Sequence, residues 1–117
     1  MPLVRIVSNH PAVAESQSQA LLSAISRCTC RILNKPESYV MTCLEPTAVM
    51  TFGGSADPTC YIEVKNVGAL NSSVTRQLTE ELCTLVSNHL RIASNRTYIE
   101  FTEADGRLWA FDGSTFG

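Results

Sequence analysis

Met1-Pro2 leads directly into an apolar, β-favouring run, Leu3-Val4-Arg5-Ile6-Val7-Ser8. Proline carries its α-nitrogen in a ring, so at the head of a chain it is a secondary amine. With Met1 removed, the Pro2 nitrogen is a free base; with Met1 in place it is a tertiary amide without basicity, and read alone a Met-Pro start is common and carries no function. Such an amine works as a general base only while neutral. Its pKa must therefore be lowered toward the working pH by desolvation, a nearby positive charge, or both. A terminus that enters a strand at once can be held partly buried at a sheet end, and Lys35 is the candidate cation. Asn34 before it suits a left-handed helix cap, and Pro36 after it pushes Lys35 out of the α region, so Lys35 sits at a stiff corner. Read alone, Lys35 is also an ordinary solvated cation at a helix C-terminus, where the helix dipole favours it.

Other reactive side chains offer less. The five cysteines, Cys28, Cys30, Cys43, Cys60 and Cys83, are odd in number and read as free thiols of a reducing compartment. Cys28-Thr29-Cys30 lies in a helical pattern, where residues two apart do not face each other. His10 and His89 are widely separated, so no zinc signature can be assembled and no metal or other cofactor is expected.

The elements that must position Pro2 and Lys35 follow from periodicity. Leu3–Ser8 reads as a strand broken by Asn9-His10-Pro11. From about Val13 to Asn34 the pattern is helical, with Leu21, Ile25, Cys28 and Ile32 on one face. Tyr39–Leu44 and the shorter Val49–Phe52 read as strands, followed by a turn-rich Gly53-Gly54-Ser55 and Asp57-Pro58 stretch. A strong strand covers Thr59–Val67. Asn71-Ser72-Ser73 then supplies N-caps for a helix from about Val74 to Ile92, with Val74, Leu78, Leu82, Leu85, Val86 and Leu90 as its apolar stripe. Thr97–Thr102 is a further strand, Asp105-Gly106 a turn, and Arg107–Phe111 a last short strand before the Gly-Ser-Thr-Phe-Gly end. The order is two similar β-α-β units. The expected fold class is α+β: a four-stranded mixed sheet, strands within each unit parallel, both helices on one face. The other face then needs a cover, which predicts an oligomer.

The 117 residues suit one domain, 1–117, able to bury a core without disulfides or metals. The net charge of −2 and the lack of any Lys/Arg-rich run exclude the electrostatic footprint of a nucleic-acid or anionic-membrane binder. No apolar stretch approaches the roughly 18 residues of a membrane span. The first residues are not patterned as a signal peptide, so synthesis in the cytosol is expected.

Several blocks together resemble the macrophage migration inhibitory factor family of the tautomerase superfamily. They are Met1-Pro2, Asn34-Lys35-Pro36-Glu37-Ser38-Tyr39-Val40-Met41, Met50-Thr51-Phe52-Gly53-Gly54-Ser55, Val67-Gly68, Arg96-Thr97-Tyr98-Ile99 and Gly113-Ser114-Thr115-Phe116. They span essentially the whole chain. The resemblance implies a duplicated β-α-β fold, a homotrimer around a central channel, and active sites at subunit boundaries. It implies that Pro2 is the general base and that Lys35 binds a substrate carboxylate or stabilises the enolate. It implies that the Val67 peptide N–H contacts substrate and that Tyr98 reaches into the neighbouring subunit's pocket. Without the resemblance, Val67 is a strand-end apolar residue and Tyr98 a half-buried strand aromatic. Tyr39 and Phe111 are pocket-wall candidates for which core packing is an equal alternative; Trp109 is similarly ambiguous.

Two departures stand out. Glu100 occupies a position where the best-known members carry asparagine, and its carboxylate would repel a carboxylated substrate unless protonated or paired with an arginine such as Arg107. At Asp57-Pro58-Thr59-Cys60, where some members have C-x-x-C, only Cys60 remains, so thiol-disulfide activity is expected to be absent. The expected function is keto–enol interconversion of a phenylpyruvate-like α-keto acid, with dopachrome-type compounds a further class. The alternative is a cytokine-like signalling protein exported without a signal peptide, binding a host receptor, with the pocket secondary.

Overall fold

The computed structural model describes residues 1–117. Four strands form one mixed sheet: β1 (Leu3–Ser8), β2 (Met41–Glu45), β3 (Cys60–Val67) and β4 (Thr97–Ala104), in the order β2-β1-β3-β4. β1 pairs parallel with β2, β3 pairs parallel with β4, and β1 and β3 join the halves antiparallel. Each parallel pair is bridged by a helix, α1 (Glu15–Leu33) or α2 (Ser72–Leu90). The duplicated β-α-β arrangement is thus the one expected.

Alternation along the strands decides which face is buried. In β1, Val4 and Ile6 are fully buried while Leu3, Arg5 and Val7 stay half-exposed; in β3, Cys60, Ile62 and Val64 are buried in the same manner. Leu21, Ile25 and Cys28 of α1 and Leu78, Leu82, Val86 and Leu90 of α2 join them in one core of 13 residues. Both helices therefore cover the same face. Cross-strand register aligns the opposite face into rows: Met41, Leu3, Lys65 and Thr102; Cys43, Arg5, Glu63 and Glu100; Glu45, Val7, Tyr61 and Tyr98. On that face Arg5 bridges Glu45 and Glu63, the latter at 3.2 Å.

The caps explain the helix ends. Asn71 Oδ1 accepts from the Val74 N–H at 2.9 Å and starts α2 two residues earlier than expected. Asn34 ends α1 in the left-handed region (φ 53°, ψ 49°), as expected. α2 stops the same way on Arg91 (φ 57°), two residues before the Ile92 limit read from sequence.

Three expectations are corrected. Val49–Phe52 is not a strand: only Phe52 and Ser55 bridge, across a Gly53-Gly54 turn whose two positive φ values turn the chain back too soon for a ladder. The Tyr39–Leu44 strand starts later, because Pro36 initiates a 3₁₀ turn over Glu37–Tyr39. Arg107–Phe111 is strand only at its end: a 3₁₀ turn covers Gly106–Leu108, and β5 (Ala110–Phe111) then pairs antiparallel with β6 (Ser114–Thr115). Asp112 and Gly113 at its tip both have positive φ (51° and 81°), the geometry a two-residue hairpin demands.

Leu82 is fully buried at the centre of this core. Leu82→Ala is expected to lower unfolding free energy by about 2–5 kcal/mol, read from urea melts at one fixed protein concentration.

Candidate functional site

The topology gathers chemistry at the beginning of β1. A crossover helix runs antiparallel to the strands it joins, so α1 returns its C-terminal end to the level where β1 and β2 both start. The Met41 N–H donates to the Pro2 carbonyl at 3.0 Å and ties those two starts together. Because β3 runs the other way, its last residue, Val67, arrives at this end too, where Gly68 (φ +110°) turns the chain off the sheet. The Lys35 N–H donates to the Cys30 carbonyl at 3.0 Å in the cap of α1, and its side chain reaches across to donate from Nζ to the Val67 carbonyl at 3.4 Å.

At the start of β1 lies a cavity of ≈ 250 Å³, lined by Met1, Pro2, Leu3, Ser38 to Met41, Trp109 to Phe111, and Phe116; Lys35 and Val67 stand outside this lining. Pro2 is buried. Tyr39 meets Phe111 edge-on at 5.3 Å between ring centroids, and Phe111 stacks with Phe116 at 6.3 Å. Tyr39, Phe111 and Trp109 are thus cavity walls rather than core. Sequence reading missed Phe116 as a wall residue. The signal was available: Asp112-Gly113 is a hairpin dipeptide, and it folds the chain end back so that the Phe116 N–H donates to the Gly106 and Trp109 carbonyls.

The titrating group at this end is the Met1 amine. Burial, and then the positive charge of Lys35, hold it below its ordinary value of about 8.0. This is the electrostatic setting that a neutral amine base needs.

Tyr98 and Glu100 are not part of this cluster within one chain. Tyr98 lies in the row of Val7, five residues along from Pro2 and two strands over, which is about 17 Å along the strands and about 10 Å across. It is 67% exposed and packs on Phe52 at 5.0 Å between centroids. Glu100 lies in the row of Arg5 and Glu63, and it raises the pKa of the Tyr61 phenol, after burial the next cause. Arg107 does not pair with Glu100; it approaches Asp105 at 3.9 Å, because the 3₁₀ turn carries it off the sheet. Cys60 is buried, where desolvation raises its thiol pKa, with its Sγ 3.5 Å from Thr97 Oγ1.

Comparison with known proteins agrees along the full chain. The family model of macrophage migration inhibitory factor (MIF) matches residues 1–117. A macrophage migration inhibitory factor homolog from Brugia malayi is 38% identical over 117 residues, covering 100% of both chains. Among solved structures, the macrophage migration inhibitory factor homologue from Prochlorococcus marinus superposes with a TM-score of 0.93 at 43% identity, covering 98% of this chain and 99% of that one. The Toxoplasma gondii macrophage migration inhibitory factor gives 0.93 at 33% identity, covering 97% and 99%.

Lys35→Ala removes the cation that disfavours a second positive charge. The pKa of the chain's first amine is expected to rise, stopping short of its ordinary value because burial remains. The pH dependence of its acylation rate measures this; an unchanged or lower pKa would contradict the electrostatic coupling.

Proposed function

The chain belongs to the macrophage migration inhibitory factor family, and from that premise we propose a tautomerase of arylpyruvate-like α-keto acids whose base is Pro2, freed by removal of Met1. Membership itself extends to an isomerase of the tautomerase type; the substrate class and the base are our reading. The observation that carries it is that Pro2 is buried in a cavity walled by aromatic side chains, at a place where the Met1 amine preceding it is held below its ordinary pKa by burial and then by Lys35.

In this mechanism neutral Pro2 takes the proton from the carbon next to the keto group and returns it to oxygen or elsewhere on the conjugated system. The enolate that develops is held by the Lys35 ammonium and the Val67 peptide amide. Tyr39, Trp109, Phe111 and Phe116 hold the aryl group and keep water from the amine. The proton stays within the substrate–Pro2 pair, so the step uses no cofactor.

Tyr98 lies too far from the Pro2 of its own chain to touch the same substrate, which supports its donation to a neighbouring copy. A homotrimer assembled through the helix-free sheet face supplies that neighbour, and it brings Glu100 toward the same pocket. There its carboxylate opposes that of the substrate. Synthesis in the cytosol, with export independent of a signal peptide, is the corresponding proposal for location. The name shared by the relatives favours a second reading, a cytokine-like factor that binds a receptor. Receptor binding that persists in Pro2→Gly after isomerisation is lost would separate the two.

Pro2→Gly is expected to lower kcat/KM for phenylpyruvate by about 10²–10⁴-fold, with intact mass on the same preparations reporting loss of Met1. Full activity in protein that retains Met1 would refute the proposal. Glu100→Asn is expected to raise kcat/KM for carboxylated substrates, and no change would dismiss the repulsion.

A further inference from the structure

We propose that Arg96 is a positioning residue for Tyr98, acting through Phe52, so that the geometry of the loop before β3 governs how substrate is gripped. The inference rests on the reading of Tyr98 as a residue donated to a neighbouring copy's pocket.

The loop from Pro46 to Thr59 has no strand of its own, yet it is held tightly. Arg96 Nε donates to the Pro58 carbonyl at 2.9 Å, Nη1 to Phe52 at 3.3 Å, and Nη2 to Ser55 at 3.0 Å and Asp57 at 3.1 Å. All four acceptors are backbone carbonyls, and the ion pairs of the chain involve Arg5, Arg31 and Arg107 instead. A planar fork with five donors can serve four carbonyls at once; a lysine ammonium, with donors radiating from one nitrogen, cannot. Asn9 completes the clamp from the other side, donating to the Ala56 and Asp57 carbonyls and accepting from the Thr59 N–H at 3.0 Å.

What this clamp fixes is an aromatic ring. The Arg96 guanidinium carbon stands 5.4 Å from the centre of the Phe52 ring, and Phe52 stands 5.0 Å from that of Tyr98 at a 54° tilt. Arg96 and Tyr98 are two residues apart on either side of the start of β4, and Phe52 is in contact with both the cation and the phenol. Tyr98 is otherwise 67% exposed; Phe52 is the ring it packs on, and Tyr61 is its register partner in β3. Contact with Phe52 narrows the rotamers open to this exposed phenol, so that the ring is ordered before any neighbouring copy or substrate arrives.

A role limited to stapling the loop would lower stability and leave the substrate constants alone. The experiment therefore combines steady-state kinetics on phenylpyruvate with a double-mutant cycle between Arg96→Lys and Tyr98→Ala, each variant checked for thermal melting and oligomer size. Arg96→Lys is expected to raise KM and lower kcat/KM by about 3–10-fold, the scale of one aromatic pair's orienting preference, with kcat changed less. In the Tyr98→Ala background the same substitution should have no further effect on KM. Phe52→Leu, which keeps the loop's bulk and removes the aromatic face, should reproduce the Arg96→Lys kinetics and serves if Arg96→Lys does not fold. If Tyr98→Ala alone leaves kinetics unchanged, the reading of Tyr98 as a pocket residue falls. If Tyr98→Ala impairs binding but the effects of Arg96→Lys or Phe52→Leu are absent or fully additive to it, the positioning role falls and that reading stands.

Discussion

Parallel pairing of β1 with β2 is the constraint on which the site depends. Two adjacent strands that run the same way cannot be joined by a hairpin, so the chain must return over the sheet, and α1 is that return. A helix that starts beyond the end of one strand and finishes before the start of the next delivers its last residues to the level of Pro2. The cation after the cap is therefore brought to the chain's first amine by topology. The 3.0 Å bond from the Met41 N–H to the Pro2 carbonyl is where this constraint is felt locally.

The second unit repeats the path with different chemistry. β3, α2 and β4 mirror β1, α1 and β2, and the antiparallel β1–β3 junction turns the copy end for end. Its helix also stops on a left-handed residue, Arg91, and its final strand also follows a short 3₁₀ turn, Ser94–Arg96. One end of the sheet thus gathers an amine, a cation and aromatic walls. The other gathers the Arg96 clamp and an outward phenol. In the proposed assembly the two ends serve one reaction only where copies meet, which would give the helix-free sheet face a reason to carry Leu3, Val7 and Tyr61 among its charges.

Most of the architecture is legible in the sequence because it rests on periodicity. Leu21, Ile25 and Cys28, and Leu78, Leu82 and Val86, report helix faces without ambiguity, and Asn34 announces its cap. What escapes is set by short-range geometry or by distance across the fold. Val49–Phe52 has strand-like residues but no partner strand, since the Gly53-Gly54 turn reverses the chain at once. The β5–β6 hairpin is only two residues a side, too short for an alternating pattern to register. The separation of Tyr98 and Glu100 from Pro2 follows from strand register, which single residues do not encode. The roles of Lys35 and Val67 were read from the family resemblance; their convergence on Pro2 follows from the direction of β3 and the return of α1.

Phe116 and Met1 line the same cavity, so residues 115 positions apart in sequence meet at one place. Gly117, though exposed, lies close against the 3₁₀ turn: a Cβ on it would lie 2.9 Å from the Arg107 nitrogen and 3.2 Å from the Gly106 carbonyl carbon. Neither extremity is a neutral point of attachment. An appended sequence at the front would cover the proposed base, and one at the back would have to leave past a wall already in contact.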